Sequence, residues 1–492
     1  MSAPPHPEPE ELRVSTKLFY GLGSVSEGTK NTAFNVFLLF YYNQVLGLSG
    51  TLSGAAIFVA LCVDAITDPL MGSISDNFHS RWGRRHPFMY ASALPMATSF
   101  YLLFNPFLVF SPTTMGETGL FLWLCIFAVG VRVSMTLYSI PSNSMVPELT
   151  SHYDERTTLM SYRFLFGWFG GLTASLLGYW YFFAPSKAFP NGQLNSEAYG
   201  AFSLVCAAMI FFAILTCALG THRLIPRFRP PPAKTPLTLQ RFSGELREVF
   251  GNRSYLMLVG ASLFAAVAGG FSDVVGLYMN TYFWGLSTAQ MGLLGLLLFI
   301  SVIIAFTFTR RLTERFDKKR AVMGLAGFSI LFGPLLIYLR LLDLMPANGH
   351  PLLFYIIAVH VIILVSAGVA IGISTSSMIA DVVDENELVT GKRQEGMFFS
   401  AIAFTAKATS GIGGFMAGIA LDIIDFPTMA DPATVAPDKV FKLGLAVGPG
   451  LMLLFLVTLI FLSRYRITRS RHAEILAELA RRSGRLAGDA GG

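Results

Sequence analysis

Apolar residues occur along this chain in long runs separated by short polar stretches. Twelve runs are long enough to cross a bilayer as helices, since a spanning helix needs about 20 apolar residues. The runs comprise residues 17–46, 52–76, 86–109, 117–147, 156–184, 198–221, 253–284, 288–310, 320–342, 351–380, 394–425 and 438–463. This pattern predicts an all-α polytopic membrane protein with twelve transmembrane helices.

The longest polar break follows the sixth run and contains three consecutive prolines, Pro230 to Pro232. It divides the runs into six and six, the layout of a transporter built from two six-helix halves. We therefore predict five segments, which are an N-terminal tail (1–16), a first half (17–221), a linker (222–252), a second half (253–463) and a basic tail (464–492).

Composition supports a membrane protein and excludes several other classes. Only 13% of residues carry Asp, Glu, Lys or Arg, whereas soluble proteins are about a quarter charged. A cytosolic enzyme, a disordered chain and a nucleic-acid-binding protein are therefore disfavoured. The N-terminus is acidic and rich in proline, so we expect no cleavable signal peptide. The four cysteines lie singly within apolar runs and are read as packing residues.

The net charge of +6 is explained by where the basic residues lie. They are concentrated in alternate loops, namely those after the even-numbered runs, such as Arg81 to Arg85 and Arg310 to Arg320. The positive-inside rule makes these loops and both termini cytoplasmic. We expect a multi-pass protein of the inner (plasma) membrane, with an amphipathic tail helix that lies on the inner leaflet or in solvent.

Ionisable residues inside a membrane span are costly and mark candidate functional sites. Eight fall near the middle of the predicted spans, four acids and four bases, so they can neutralise one another around a wet central cavity. They are Glu27, Lys30, Asp64, Asp68, Arg132, Arg163, Asp273 and Lys407. The alternative is a set of static pairs that fix helix packing.

Asp64 and Asp68 are the most informative of these residues. A spacing of four places both carboxylates on one face of a helix. Two adjacent carboxylates at low dielectric do not both stay ionised without a cation, so they should bind a metal ion or share a proton. Thr67, Thr136 and Ser139 offer further hard oxygen ligands. We predict a Na⁺ or H⁺ site here.

Three further features belong to this picture. Lys407 lies among small residues and is predicted to pair with Asp64 or Asp68 when no cation is bound. Arg132, Thr136, Ser139 and Asn143 recur every three to four residues, so the fourth span has a polar stripe that we expect to face a cavity. The glycines from Gly411 to Gly414 are read as close helix packing.

The motifs Val63-Asp64-Ala-Ile-Thr-Asp68-Pro69 and Ser80-Arg81-Trp82-Gly83-Arg84-Arg85 resemble the second span and following loop of the glycoside–pentoside–hexuronide:cation symporters. This family belongs to the major facilitator superfamily. The segment from Ala380 through Thr390-Gly391 to Lys407 is similar to the region between its tenth and eleventh spans. The resemblance extends over essentially the whole chain.

The resemblance implies that Asp64, Asp68 and Thr136 bind the coupling cation, that Lys407 links cation and substrate sites, and that Arg163 lines the substrate cavity. The galactoside-binding positions of melibiose-transporting members differ here. They read as Glu27-Gly28, Ser139 and Asn143, and Thr67 replaces an asparagine. An anionic or differently decorated glycoside is therefore expected. The predicted substrate-binding set is Glu27, Lys30, Arg132, Ser139, Asn143, Arg163, Asp273 and Lys407.

The predicted mechanism is alternating access of the two halves, with no cofactor beyond the coupling Na⁺ or H⁺. A cytoplasmic gate is expected between two groups of charges, Arg81, Arg84 and Arg85 with Asp381, Asp384 or Glu385. A monomer that contacts membrane lipids is expected, with a glycoside or uronate as substrate. A lysolipid is the alternative, because animal lysophosphatidylcholine symporters share the motifs. A membrane enzyme has no supporting motif, and a non-transporting sensor is a third possibility.

Overall fold

The structure is a computed structural model that describes residues 12–108, 112–150, 153–228, 251–391 and 395–489. These residues form helices and loops without a strand. They divide into two compact units. The first holds the described residues up to 228, together with Ser287–Gly292 and Pro427–Asp431, and the second holds the remainder. Most of the predicted linker, including Pro230 to Pro232, lies outside the described residues.

The first unit contains the described helices of the N-terminal half, several of them continued or linked by short π-helical or 3₁₀ segments. They are α1 (Val14–Leu22), α2 (Ser24–Thr32), α3 (Gly50–Asn77), α4 (His86–Leu103), α5 (Pro112–Ser144), α6 (Val146–Leu149), α7 (Tyr153–Leu176) and α8 (Ser196–His222). A π-helical segment, Ala33–Leu38, continues α2. Non-helical dihedrals at Gly116 kink α5 near its start.

The second unit has the corresponding set from the C-terminal half. It comprises α9 (Arg253–Tyr278), α10 (Thr288–Arg315, from Leu293 onwards), α11 (Lys318–Phe332), α12 (Leu335–Leu341), α13 (Pro351–Thr390), α14 (Glu395–Ile423), α15 (Pro437–Ser463) and the tail helix α16 (Arg469–Asp489).

Helix pairing within the two units follows one plan. In the first unit α2 packs on α7 and α4 packs on α8. In the second unit the helices at equivalent positions pair in the same way, α9 with α14 and α11 with α15. Such internal repetition is typical of transporters that consist of two related halves.

Glycines allow the closest of these helix contacts. A Cβ at Gly28 of α2 would collide with the backbone carbonyl of Gly167 in α7. A Cβ at Gly413 of α14 would likewise collide with the carbonyl of Val267 in α9. Small residues let backbones approach where lipid supplies no hydrophobic drive for association. The interpretation of Gly413 as a packing residue is therefore confirmed.

Eight of the described helices are long and apolar enough to span a membrane. Four predicted spans are not among them, namely 17–46, 86–109, 156–184 and 394–425. Three of these four carry predicted site charges. They contain Glu27 and Lys30, Arg163, and Lys407. The all-helical membrane fold is confirmed, and the count of twelve spans stays a prediction.

The C-terminal tail forms the predicted amphipathic helix, α16, and its apolar side packs on protein. Ile475 is fully buried in the cluster that also contains Met378 and Val382 of α13. At its polar side, His472 Nε2 lies 3.0 Å from Asp384 Oδ2. Arg482 Nη1 donates to the carbonyl of Leu388 at 2.7 Å. This helix is therefore docked on the second unit, which neither sequence alternative anticipated.

Candidate cation and substrate site

The two predicted cation-binding aspartates lie one above the other on α3. Asp64 is 2% exposed and Asp68 is half-buried. Thr136 of α5 contacts both of them, with Oγ1 at 2.9 Å from Asp64 Oδ1 and at 2.7 Å from Asp68 Oδ1. The two carboxylates lie on one face of α3, as their spacing predicts, and both contact the Thr136 hydroxyl of the neighbouring α5. Thr136 itself is 2% exposed.

A guanidinium completes this group. Arg132, one turn before Thr136 on α5, forms an ion pair from Nη1 to Asp64 Oδ2 at 3.1 Å. Its side chain is 9% exposed, and its guanidinium carbon lies 5.2 Å from the ring centroid of Phe34. The same ring is 5.8 Å from Lys30 Nζ, so Phe34 presents its ring to two cations. Aromatic rings attract cations at such distances.

The role of Thr67 as a cation ligand stays a prediction. Its hydroxyl donates to the backbone carbonyl of Asp64 at 3.3 Å, within the same helix. Ser139 is half-buried on α5, and Asn143 is exposed near the end of that helix. The expected polar stripe therefore exists, and its Arg132 and Thr136 end contacts the aspartates.

A second charged group connects α2, α5 and α7. Arg163 Nη2 binds Glu27 Oε1 at 2.7 Å, and Arg163 Nη1 donates to Ser142 Oγ at 2.9 Å. The hydroxyl of Tyr20 accepts from Arg163 Nη1 at 3.3 Å and donates to the carbonyl of Ser142. Arg163 is 5% exposed and Glu27 is 28% exposed at the side chain. The carboxylate is therefore the accessible end of this pair.

The remaining two predicted charges belong to the second unit. Asp273 is exposed on α9. Lys407 lies within α14, but its side chain is outside the described part of the structure. Its predicted pairing with Asp64 or Asp68 therefore stays a prediction.

The predicted gate residues form ion pairs inside their own units. Arg84 Nη2 contacts Glu148 Oε1 at 2.6 Å, and Arg85 contacts both Glu148 and Asp76. In the second unit Lys318 binds Asp381 at 2.8 Å. Asp384 contacts His472, and Arg81 is exposed beside Trp82. A gate between the two groups stays a prediction.

Sequence reasoning missed several partners in these networks. Ser142, Tyr20 and Phe34 hold the buried arginines, yet singly they are ordinary residues of apolar helices. Ser142 could have been found, since it continues the spacing of the polar stripe on α5. Glu148 could also have been found, because an acid beside two predicted cytoplasmic arginines is a natural ion-pair partner.

Comparison with known proteins places this geometry in a family. The family model described as MFS/sugar transport protein matches residues 19–469. The chain therefore belongs to this family of the major facilitator superfamily, and it is a multi-pass membrane transporter of small-molecule solutes rather than an enzyme.

Individual relatives agree with that assignment. The chain is 27% identical to an uncharacterized symporter of Synechocystis over 96% of this chain and 98% of the relative. It is 26% identical to an isoprimeverose transporter of Lactiplantibacillus pentosus, covering 83% and 80%. A sodium-dependent lysophosphatidylcholine symporter of Danio rerio is 24% identical, covering 94% and 87%. These names support the predicted symporter family.

Solved structures show the same fold. An inward-open structure of the xylose transporter XylE from Escherichia coli aligns with a TM-score of 0.55. The alignment covers 94% of this chain and 97% of that one at 16% identity. The predicted major facilitator fold is thereby confirmed.

Proposed function

We propose that this protein couples the inward movement of a cation to the uptake of a sugar or glycoside-like solute by alternating access. The family and the symporter relatives support coupled transport of such a solute. The single observation that carries the coupling is the pair of carboxylates around Thr136, the buried Asp64 and the half-buried Asp68. Two carboxylates held away from water favour a positive charge nearby, so this pair is suited to bind the coupling cation.

Substrate binding is assigned to the charged groups of the first unit. Glu27 is the accessible end of its pair with Arg163, and carboxylates accept hydrogen bonds from sugar hydroxyls. Phe34 is buried, and its ring lies close to both Arg132 and Lys30. The assignment of Asp273 and Lys407 to substrate binding stays a prediction.

Uptake into proteoliposomes tests this function. Purified protein is reconstituted, a sodium or a proton gradient is imposed separately, and accumulation of labelled glycosides and uronates is measured. We expect one gradient to drive accumulation and Asp68→Asn to abolish it while leaving substrate exchange measurable. Asp343→Asn, the same change in an exposed loop, is the matched control.

Two results would contradict the proposal. Full gradient-driven accumulation by Asp68→Asn would remove the coupling role of the pair. Accumulation of lysophosphatidylcholine, with no glycoside or uronate transported, would favour the lysolipid alternative. No contact among the described residues specifically favours a lysolipid.

The orientation is part of the proposal. We assign the protein to the plasma (inner) membrane, with both termini and the loops rich in Arg and Lys on the cytoplasmic side. Reporter fusions after residue 489 test the cytoplasmic location of the C-terminus.

A further inference from the structure

A cavity lies within the first unit between the start of α1 and the end of α8. Its volume is about 660 Å³, which is in the range of ligand pockets. Residues at the N-terminal end of α1 form one wall, and residues at the C-terminal end of α8 form the other. The first predicted span begins and the sixth ends at the same side of the membrane. The cavity is therefore at the interface that the positive-inside rule makes cytoplasmic.

Each wall of this cavity contributes one arginine. Arg13 directly precedes α1, and Arg223 directly follows α8. Both are exposed, and neither side chain forms a hydrogen bond or an ion pair with another described residue. Lys17 on the next turn of α1, in contrast, is paired with Glu155 at 2.9 Å. None of the described residues that line the cavity is acidic, so two positive charges there lack a counter-ion.

The lining becomes apolar with distance from these charges. Phe19 follows Arg13 by six residues and lies about 9 Å deeper along the helix, since each residue adds 1.5 Å. Leu219 lies about one turn deeper than Arg223. Phe19 is 40% exposed and Leu219 is 61% exposed. A Cβ at Gly220 would collide with the side chain of Phe19, so this glycine lets Phe19 lie against α8.

This arrangement matches the two parts of an anionic phospholipid. Guanidinium groups bind phosphate oxygens through charge-assisted hydrogen bonds, often two at a time. The apolar side chains lie on the side of the charges that faces the bilayer interior, where an acyl chain runs. Basic pockets between spans on the cytoplasmic side are suited to anionic lipid headgroups. A soluble anion would use the two arginines alone and leave the apolar part of the cavity unexplained.

We propose that this cavity binds one anionic phospholipid of the inner leaflet. Its phosphate contacts Arg13 and Arg223, and one acyl chain lies along Phe19 and Leu219. The lipid joins the first and sixth spans of the first unit at their cytoplasmic ends. Because a ligand that binds only the folded state stabilises it, this lipid stabilises the first unit. The site goes beyond the proposed function and is separate from the aspartates on α3.

Lipid-dependent unfolding of the full chain tests this site. The purified protein in detergent is titrated with phosphatidylglycerol or with phosphatidylcholine of the same chains, and the unfolding temperature is measured. We expect a saturable rise with phosphatidylglycerol. Arg13→Gln and Arg223→Gln should each raise its half-saturating concentration about fivefold, and the double variant about 25-fold, since one basic residue near an anionic lipid is worth about that factor.

Matched variants separate charge, chain and general effects. Arg464→Gln is the control, because Arg464 is an exposed arginine at the end of α15 outside this cavity, and it should leave the half-saturating concentration unchanged. Arg223→Lys keeps the positive charge and should retain most of the affinity. Leu219→Asn keeps both arginines and should weaken binding of phosphatidylglycerol. Glycerol phosphate, which has the anion without a chain, should give no protection at millimolar concentration.

Three results would overturn the inference. They are equal protection by phosphatidylcholine, a double variant with the half-saturating concentration of the wild type, and protection by glycerol phosphate that equals protection by the lipid. The last result would indicate a site for a soluble anion. Native mass spectrometry counts bound phosphatidylglycerol in the same samples and gives the comparison for any variant without a sharp unfolding transition. These measurements require no transport, so a failure of the proposed function would not alter them.

Discussion

Arg163 shows how a single side chain keeps a charge inside an apolar helix bundle. Its guanidinium is held by Glu27, by the hydroxyl of Ser142 and by Tyr20, with hydrogen bonds of 2.7 to 3.3 Å. Buried charges persist only when they are paired and their donors are satisfied. The ion pair between Arg163 and Glu27 therefore has two candidate roles, to stabilise the helix bundle and to contact the sugar. Mutation can separate these roles.

Neutralising one or both members of this pair tests that requirement. Glu27→Gln leaves Arg163 without a counter-ion, which costs up to about 3–5 kcal/mol for a buried pair and less here because Glu27 is partly exposed. The double variant Glu27→Gln with Arg163→Gln should recover part of the lost stability. Thermal unfolding in detergent measures the stability of the single and double variants. A double variant that loses more stability than the two single variants together would contradict the need for pairing of Glu27 with Arg163.

At the scale of helices, Glu155 joins the start of α1 to the start of α7. It accepts from the backbone N–H of Leu12 at 2.8 Å, from Lys17 Nζ at 2.9 Å and from the hydroxyl of Thr150 at 2.7 Å. Burial raises the pKa of this carboxyl, but the hydrogen bonds from Thr150, Lys17 and Leu12 outweigh burial and hold the pKa below its usual value. The ionised form therefore fastens the two helices.

The lowered pKa of Glu155 predicts how stability responds to acid. A carboxyl with a lower pKa in the folded protein stabilises it above its unfolded pKa of about 4.3, and the stabilisation is lost as the pH falls through the folded value. We expect the unfolding temperature of the wild type to fall over the pH range that begins near the unfolded value of about 4.3 and extends below it. Glu155→Gln should show a smaller fall over that range, and an identical fall would contradict the assignment.

The docking of α16 is a second prediction at this scale. Ile475 is fully buried whereas its neighbour Leu476 is 46% exposed. Ile475→Ala should destabilise the second unit by about 2–5 kcal/mol, as is usual for buried aliphatic truncations. Leu476→Ala is the matched control and should change little. Limited proteolysis of the tail distinguishes them, because only an undocked α16 is expected to be cleaved rapidly.

For the whole molecule, hydropathy predicts the helical membrane fold and helical spacing predicts that Asp64 and Asp68 lie on one face of α3. Relative rotation of neighbouring helices is not encoded in either pattern. The sequence therefore identified Arg132 and Arg163 as buried charges without indicating their partners. Arg132 was assigned to the substrate alone, whereas α3 and α5 are turned so that it meets Asp64 at 3.1 Å.

The uneven polarity of the helices also has a consequence for how the chain enters a bilayer. The first span carries Glu27 and Lys30, and the partner that neutralises Glu27 is Arg163 of α7, 136 residues later. During synthesis the first helix emerges long before that partner exists, and lipid cannot satisfy its charges. We therefore expect stable integration of the N-terminal segment to depend on the fifth span, which lies far along the sequence.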